Sequence, residues 1–491
     1  MLDGTLPIGS PGIGPGIGWG LCTVPWVLFS VAIGGGAGSS TLPWRYVLNL
    51  CQLSTLLTVS YIIHSIDWFT RWSVGPATAL VHHAVVAVAA CSAWQYWVSV
   101  HWSMPALLAV HELFFGYLVG LLCYLPRSFS IGEALTIANA LALLTADFGF
   151  YGLAQTRLQP VMGTVDVASR STLLIVVQGG IVASCLHGLA IGLARKAFYP
   201  AIVGHRTPPG ALRWMDAAVY AIATGAVVLL MAYYLHALLG TSVFAWGWSF
   251  LWRDPWYGPF LCYWAACLVG TVWYVGWRMP AGTPMASRAA RNLRRKVYHG
   301  LVVLMFVPGY IYVPRLLSLG LAVAWCGMVA VELMRPFDLG PWVFGVLQFI
   351  QSFADDHDAG PAVLSHLYLL LGCAVPLWLG LIHPLGSLAG VLTLGIGDAV
   401  ASVVGQRWGH HPWLWGRKTV EGTVGFVVSV LVAWRGLLPW LPGPSTNHWS
   451  WTVTSVCVTA LVEALTDQND NLFAPLVLAS LVNLGTYQPR P

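Results

Sequence analysis

The sequence predicts an all-α fold, a polytopic bundle of about 15 transmembrane helices. Three observations carry that reading. Of 491 residues, 57% are hydrophobic and only 8% are charged, against about 25% charged in a soluble domain. The mean hydropathy is +0.71. The 26 tryptophans suit a chain with many residues at headgroup depth. With 18 acids and 23 bases, the chain cannot clothe a soluble fold of this size. A water-soluble enzyme, a disordered chain and a secreted disulfide scaffold are excluded.

A spanning helix needs about 20 mostly apolar residues. Reading in order, runs of that kind cover 20–37, 46–68, 76–100, 104–124 and 134–153. Others cover 172–194, 217–239, 257–277, 297–313 and 316–333. The last five are 361–381, 385–404, 420–441, 451–465 and 472–486. The opening, Gly9 to Gly20, is rich in Gly and Pro and carries no signal. Before the first apolar run the early charge is Asp3, with no basic stretch, which speaks against a cleaved leader.

The ten cysteines are scattered through apolar runs with no CxxC pair, so they read as small hydrophobes and not as zinc ligands. No basic stripe suggests nucleic acid. Bases concentrate instead at residues 278–296, where Arg278, Arg288, Arg291, Arg294, Arg295 and Lys296 fall. That composition shift divides a variable helical region, 1–290, from a chemical region, 291–491. By the positive-inside rule the basic linker lies in the cytoplasm. Counting helices from it returns 335–360, 405–419 and 466–471 to the same side, which carries the acids of the C-terminal region.

Four constellations there carry chemistry. The first runs from Gly395 through Asp398 and Ser402 to Gly405. Gly397, Ala401 and Gly405 form a small-residue stripe for close helix packing. Asp398 and Ser402 lie on the adjacent stripe, and a carboxylate on a membrane helix is costly enough to be functional by default. The second is a basic, glycine-spaced loop that opens a helix: Gly405, Gly409, Gly416, Arg417, Lys418, Thr419, Glu421 and Gly422. Helix N-termini favour phosphate, glycines let backbone come close, and Thr419 is placed to cap. The spacing is not that of a Walker A loop.

In the third, Glu463, Asp467 and Asp470 fall at i, i+4 and i+7, on one helical face. Carboxylates on one stripe repel unless cations lie between them, and oxygen-only ligands suit Mg²⁺. The fourth holds Asp356 and Asp358 before Pro361, then His366 and Tyr368 in the next helix. Cap chemistry explains such a loop equally well. His299, after the linker, is a weaker candidate. Carboxylates, a phosphate loop with a lysine and a membrane setting point to an embedded enzyme that uses a nucleotide on a lipid.

At these residues the chain resembles the polyprenol and dolichol kinase family. The resemblance rests on Gly395-Ile-Gly-Asp-Ala-Val-Ala-Ser402 followed by Gly416-Arg-Lys-Thr-Val-Glu-Gly422. It extends to Arg295-Lys-Val-Tyr-His299, to Asp356 through Pro361 with His366 to Gly372, and to Glu463 with Asp470, Asn471 and Pro475. In the N-terminal region, Leu125-Pro-Arg-Ser-Phe-Ser-Ile-Gly-Glu133 is similar to dolichol kinases in particular. The resemblance implies a kinase of the endoplasmic reticulum membrane, and the positive-inside counting turns its site to the cytoplasm. It implies CTP as donor and dolichol as acceptor, giving dolichyl phosphate for N-glycosylation, while the carboxylates themselves point to Mg²⁺ or another divalent cation. The family's CTP loop falls on 405–422, with Arg417 where the family usually has lysine.

The expected roles follow. Lys418, Arg417 and the loop hold the CTP phosphates. Asp398 and Asp470 hold the metal, helped by Asp467 or Glu421. Asp398 or Asp470 takes the proton of the alcohol. Lys296, His299, Asp356, Asp358, His366, Tyr368, Ser402 and Glu463 are further candidates. The alternatives are a kinase of another lipid alcohol (phytol, another polyprenol, diacylglycerol), a cytidylyltransferase, or a transporter with intramembrane acids.

Overall fold

In the computed structural model, described residues are 23–24, 27, 50–62, 83–93, 103–155, 170–203, 209–278, 288–337, 339, 341–351, 358, 360–381, 383–413, 418–441, 449–466 and 469–485. All named elements within them are helical. The N-terminal region holds α1 (Leu50–Ile62) and α2 (His83–Ala93), then α3 (Met104–Tyr124), α4 (Ile131–Ala154), α5 (Thr172–Val203), α6 (Pro209–Leu239), α7 (Val243–Leu251) and α8 (Tyr257–Arg278). The C-terminal region holds α9 (Arg288–Tyr312), α10 (Pro314–Met334), α11 (Pro341–Gln351), α12 (Ser365–Trp378), the short α13 (Pro384–Ser387) and a π-helix (Val391–Asp398). It ends with α14 (Ala399–Trp408), α15 (Val420–Leu437), a 3₁₀ turn (Leu438–Trp440), α16 (Trp449–Leu465) and α17 (Asp470–Leu484).

The all-α membrane fold holds, while a count of about 15 spans is not reached among the described residues. Among the described residues, seven helices are long and apolar enough to cross a membrane: α3, α4, α8, α10, residues 172–195 of α5, residues 214–239 of α6 and residues 420–440. Five apolar helices are shorter: α1, α2, α12, α16 and α17. The run 297–313 is the apolar end of α9, whose first turns are the basic linker. The run 385–404 is not one helix. It breaks after Ser387 and passes through a π-helix before α14. Continuous hydropathy cannot register such a break, because a π-turn changes hydrogen bonding and not composition. Residues 335–360, read as a loop, contain α11. The expected span 20–37 lies almost wholly outside the described residues.

In the N-terminal region α3 packs on α4 and α5 packs on α6, while α10 of the C-terminal region lies against α5. The C-terminal core closes around the π-helix, which α9 and α15 flank, while α17 packs on α12 and α16. Leu385, Leu392, Phe426, Val430, Val456 and Leu478 are wholly buried in that core. Glycines make it possible. A Cβ on Gly390 would lie 2.0 Å from the Gly372 carbonyl oxygen, and one on Gly372 would lie 2.1 Å from that of Asn471. No side chain fits at either position, so α12, α17 and the π-segment meet backbone to backbone. This close contact sets the acid-bearing ends of these elements side by side.

Candidate functional site

Asp398 is the last residue of the π-helix, and π-turns recur at functional sites. Two neighbours on α9 hold it. Lys296 donates from Nζ to Asp398 Oδ2 at 2.7 Å and to its carbonyl oxygen at 3.2 Å. His299 Nδ1 lies 3.2 Å from the same Oδ2 and 2.8 Å from the Leu394 carbonyl oxygen. Lys296 and His299 are three apart on α9, so both face the π-segment. The basic linker thus delivers an amine and an imidazole onto one carboxylate.

A second lysine lies opposite. Lys418 donates to Glu463 Oε1, to the Glu463 carbonyl at 2.9 Å and to Asp470 Oδ2 at 3.0 Å. Burial pushes the Lys418 amine down, but Asp470 and Glu463 outweigh it and hold the pKa above the ordinary lysine range. The amine therefore stays cationic at neutral pH. Carboxylate oxygens of Asp398, Glu463 and Asp470 all lie within 4.8 Å of one another. The cluster joins the π-segment, the hairpin before α15, the end of α16 and the start of α17.

The hairpin is built locally. Pro412 and Thr419 form an antiparallel bridge, with Val420 N donating to the His411 carbonyl at 2.9 Å. Thr419 caps α15, its Oγ1 accepting from Gly422 N at 3.2 Å, as expected. The glycines serve packing more than exposure. A Cβ on Gly409 would lie 2.3 Å from the Gly405 carbonyl oxygen, and one on Gly422 would lie 3.0 Å from that of Ala401. Gly405, Gly409 and Gly422 let α14 and α15 close on Thr419, which sends Lys418 toward the acids.

Several expected residues fall elsewhere. Glu421 is not with the three acids. Its carboxylate accepts from the amides of His410 and His411 and pairs with His411 Nδ1 at 2.6 Å, bracing the hairpin. Ser402 accepts from Gln406 one turn further along α14, at 3.4 Å. Asp358 caps α12, accepting from Leu364 N at 2.8 Å and from Ser365 Oγ at 2.7 Å. His366 Nε2 lies 3.8 Å from Glu332. Tyr368 is buried beside Glu133. Asp356, Gly416, Arg417 and Asp467 lie outside the described residues.

Two acids the sequence reading left without a role prove to be braces. Glu332 on α10 accepts from Val363 N at 3.1 Å and pairs with Arg335 at 2.7 Å. A glutamate in an apolar helix was the available signal. Glu133 reaches across the chain to Asn469 N at 2.9 Å. A further group, His83, His111 and Glu112, closes on itself. Glu112 bridges both imidazoles at 3.1 Å, and Ser60 takes the other nitrogen of His111 at 2.7 Å.

Fold and site together define a multi-span membrane protein in which three acids and two lysines converge. Comparison with known proteins agrees. The chain is 33% identical over 391 residues to "Dolichol kinase EVAN" of Arabidopsis thaliana, covering 74% of this chain and 66% of that protein. It is 28% identical over 389 residues to the dolichol kinase of Homo sapiens, covering 75% and 68%. A phytol kinase of Synechocystis is 26% identical over 218 residues, 35% of this chain and 94% of that protein. The chain thus spans about two thirds of the length of the dolichol kinases it matches. No family model and no solved structure matches it. The chain belongs to the dolichol kinase family.

Proposed function

We propose that this protein transfers the γ-phosphate of CTP to the hydroxyl of dolichol. The observation that carries the reading is the convergence of Asp398, Glu463 and Asp470 with Lys296 and Lys418. Phosphoryl transfer is chiefly positioning and charge neutralisation. Lys418, half-exposed beside buried Glu463, holds the phosphates from the hairpin side. Lys296 faces them from α9. The alcohol oxygen attacks the γ-phosphorus, the bond to the bridging oxygen breaks, and CDP leaves. Asp398 or Asp470 accepts the hydroxyl proton.

The donor set also fits a divalent cation. Three carboxylates within reach of one another offer oxygen alone, which suits Mg²⁺. When bound, that cation neutralises phosphate charge. Its ligands would be Asp398, Glu463 and Asp470, with Glu463 in the place first given to Asp467 or Glu421. We place the centre at the cytoplasmic face of the endoplasmic reticulum membrane, feeding N-glycosylation. The support is positive-inside counting: Lys296, Asp398, Lys418 and Asp470 come from segments assigned to one side, and they meet.

The test uses purified protein in lipid with dolichol and Mg²⁺, comparing γ-labelled CTP with γ-labelled ATP. Label entering the lipid from CTP supports the reading, and Lys418→Ala lowers that transfer by about 100-fold or more. Preference for phytol over dolichol in competition would favour the second reading, which the phytol kinase match supports. No transfer from either nucleotide would overturn both.

A further inference from the structure

Residues 125–130, between α3 and α4, and the first turn of α4 lie in the N-terminal region, yet they are docked on Gly360, Ala362 and Asn469 of the C-terminal region. Ser128 Oγ accepts from Ala362 N at 3.4 Å. A Cβ on Gly360 would lie 2.0 Å from that same oxygen. Leu125 and Phe129 pack into the cluster of Tyr368, Leu472 and Phe473. Arg127 in this turn has φ +65°, a conformation L side chains seldom adopt without outside support.

Glu133 is the buried centre of the contact. One carboxylate oxygen completes a capping box, accepting from Ser130 N at 3.0 Å, while Ser130 Oγ accepts from Glu133 N at 3.2 Å. A helix cap needs no more than that. The other oxygen accepts from Asn469 N at 2.9 Å, 336 residues away. Asn469 is the cap of α17, its Oδ1 accepting from Asn471 N at 3.1 Å. Asp470, the first residue of α17, meets Lys418.

We propose that Glu133 is a positioning residue for the phosphate-handling centre. It holds the start of α17 through the Asn469 amide and so sets the direction of the Asp470 carboxylate. The N-terminal region thereby supplies part of the site's geometry without touching substrate. This rests on the reading of Asp470 given above. A shift of about 1 Å at a reacting group can cost about 100-fold in rate, so the contact has leverage on turnover.

The test uses the full chain in lipid nanodiscs with Glu133→Ala, Glu133→Gln and Ser130→Ala. Hydrogen exchange of the 469–473 amides and the kcat and KM for CTP are measured for each. Glu133→Ala should speed exchange at Asn469 and lower kcat between about 10-fold and 100-fold, with KM for CTP little changed. Glu133→Gln should fall between, since one amide oxygen serves only one of the two backbone donors. Ser130→Ala breaks the cap and spares the Asn469 contact, so both readouts stay near wild type. Unchanged exchange in Glu133→Ala, or equal losses in Ser130→Ala, would overturn the proposal. Exchange behaving as expected in a wild-type chain that transfers no phosphate would refute the kinase reading and leave the contact standing.

Discussion

Among the described residues, the charged clusters around Asp147 and around Asp398 are built differently. In the N-terminal region Asp147 is buried with both oxygens filled. Arg170 donates to one at 2.5 Å and Gln178 to the other at 2.9 Å. Arg170 also reaches Gln178 Oε1 at 2.7 Å and lies over the Tyr151 ring. One acid meets one base, and the amide closes the set. In the C-terminal region three acids meet two lysines, and Lys418 and Asp470 keep 38% and 29% of their side chains accessible. A closed pair is what structure alone requires, because a lone charge in an apolar interior is costly. An accessible surplus of acid is what the proposed centre, with its cation and phosphates, requires.

The sharpest way to break this contrast is to neutralise one acid on each side. Asp398→Asn or Asp470→Asn should lower transfer by about 100-fold or more, and for Asp470→Asn, whose pair with Lys418 is partly exposed, the melting shift should be worth less than about 1 kcal/mol. Asp147→Asn leaves Arg170 buried against a neutral partner. It should cost about 3 kcal/mol of stability, while folded molecules keep their kcat. Paired melting curves and active-site-normalised rates decide this. Equal behaviour of the two variants would erase the distinction.

A smaller effect separates charge from shape at the hairpin. Lys418→Arg keeps the charge but replaces a compact ammonium with a planar fork. It should retain more activity than Lys418→Ala and still fall well short of wild type in the same labelled-CTP assay. The smallest change is expected at Glu421, whose partners are the exposed His411 and its backbone. Glu421→Gln should alter turnover by no more than about threefold. A loss as large as that of Asp470→Asn would return Glu421 to the metal ligands.

The same contrast shows how far the sequence could be read. Low charge and long apolar runs are properties of composition, so the membrane class was legible without a structure. Asp398 stood out because a carboxylate on a membrane helix is expensive and calls for a reason, Lys418 because it sits in a basic, glycine-spaced loop, and Glu463 and Asp470 because they share one helical face. Periodicity reports which residues share a face of one helix, and it says nothing of which helix that face meets. Glu421 sits beside Lys418 in the chain yet turns to His411, and Glu463 takes the place beside Asp398 and Asp470. Glu133 carried a resemblance but no role, because its partner lies 336 residues away.

By itself the sequence determined the solvent this protein lives in, the charged residues that need partners, and the glycines where backbones can touch. The tertiary structure alone decided the pairings. It broke 385–404 into a π-turned segment that ends on Asp398, brought Gly372 and Gly390 into backbone contact, and set Glu133 against Asn469. The physical reason is that desolvation is a local cost, written in each residue. The contact that offsets it is long-range, and it exists only once the helices have packed.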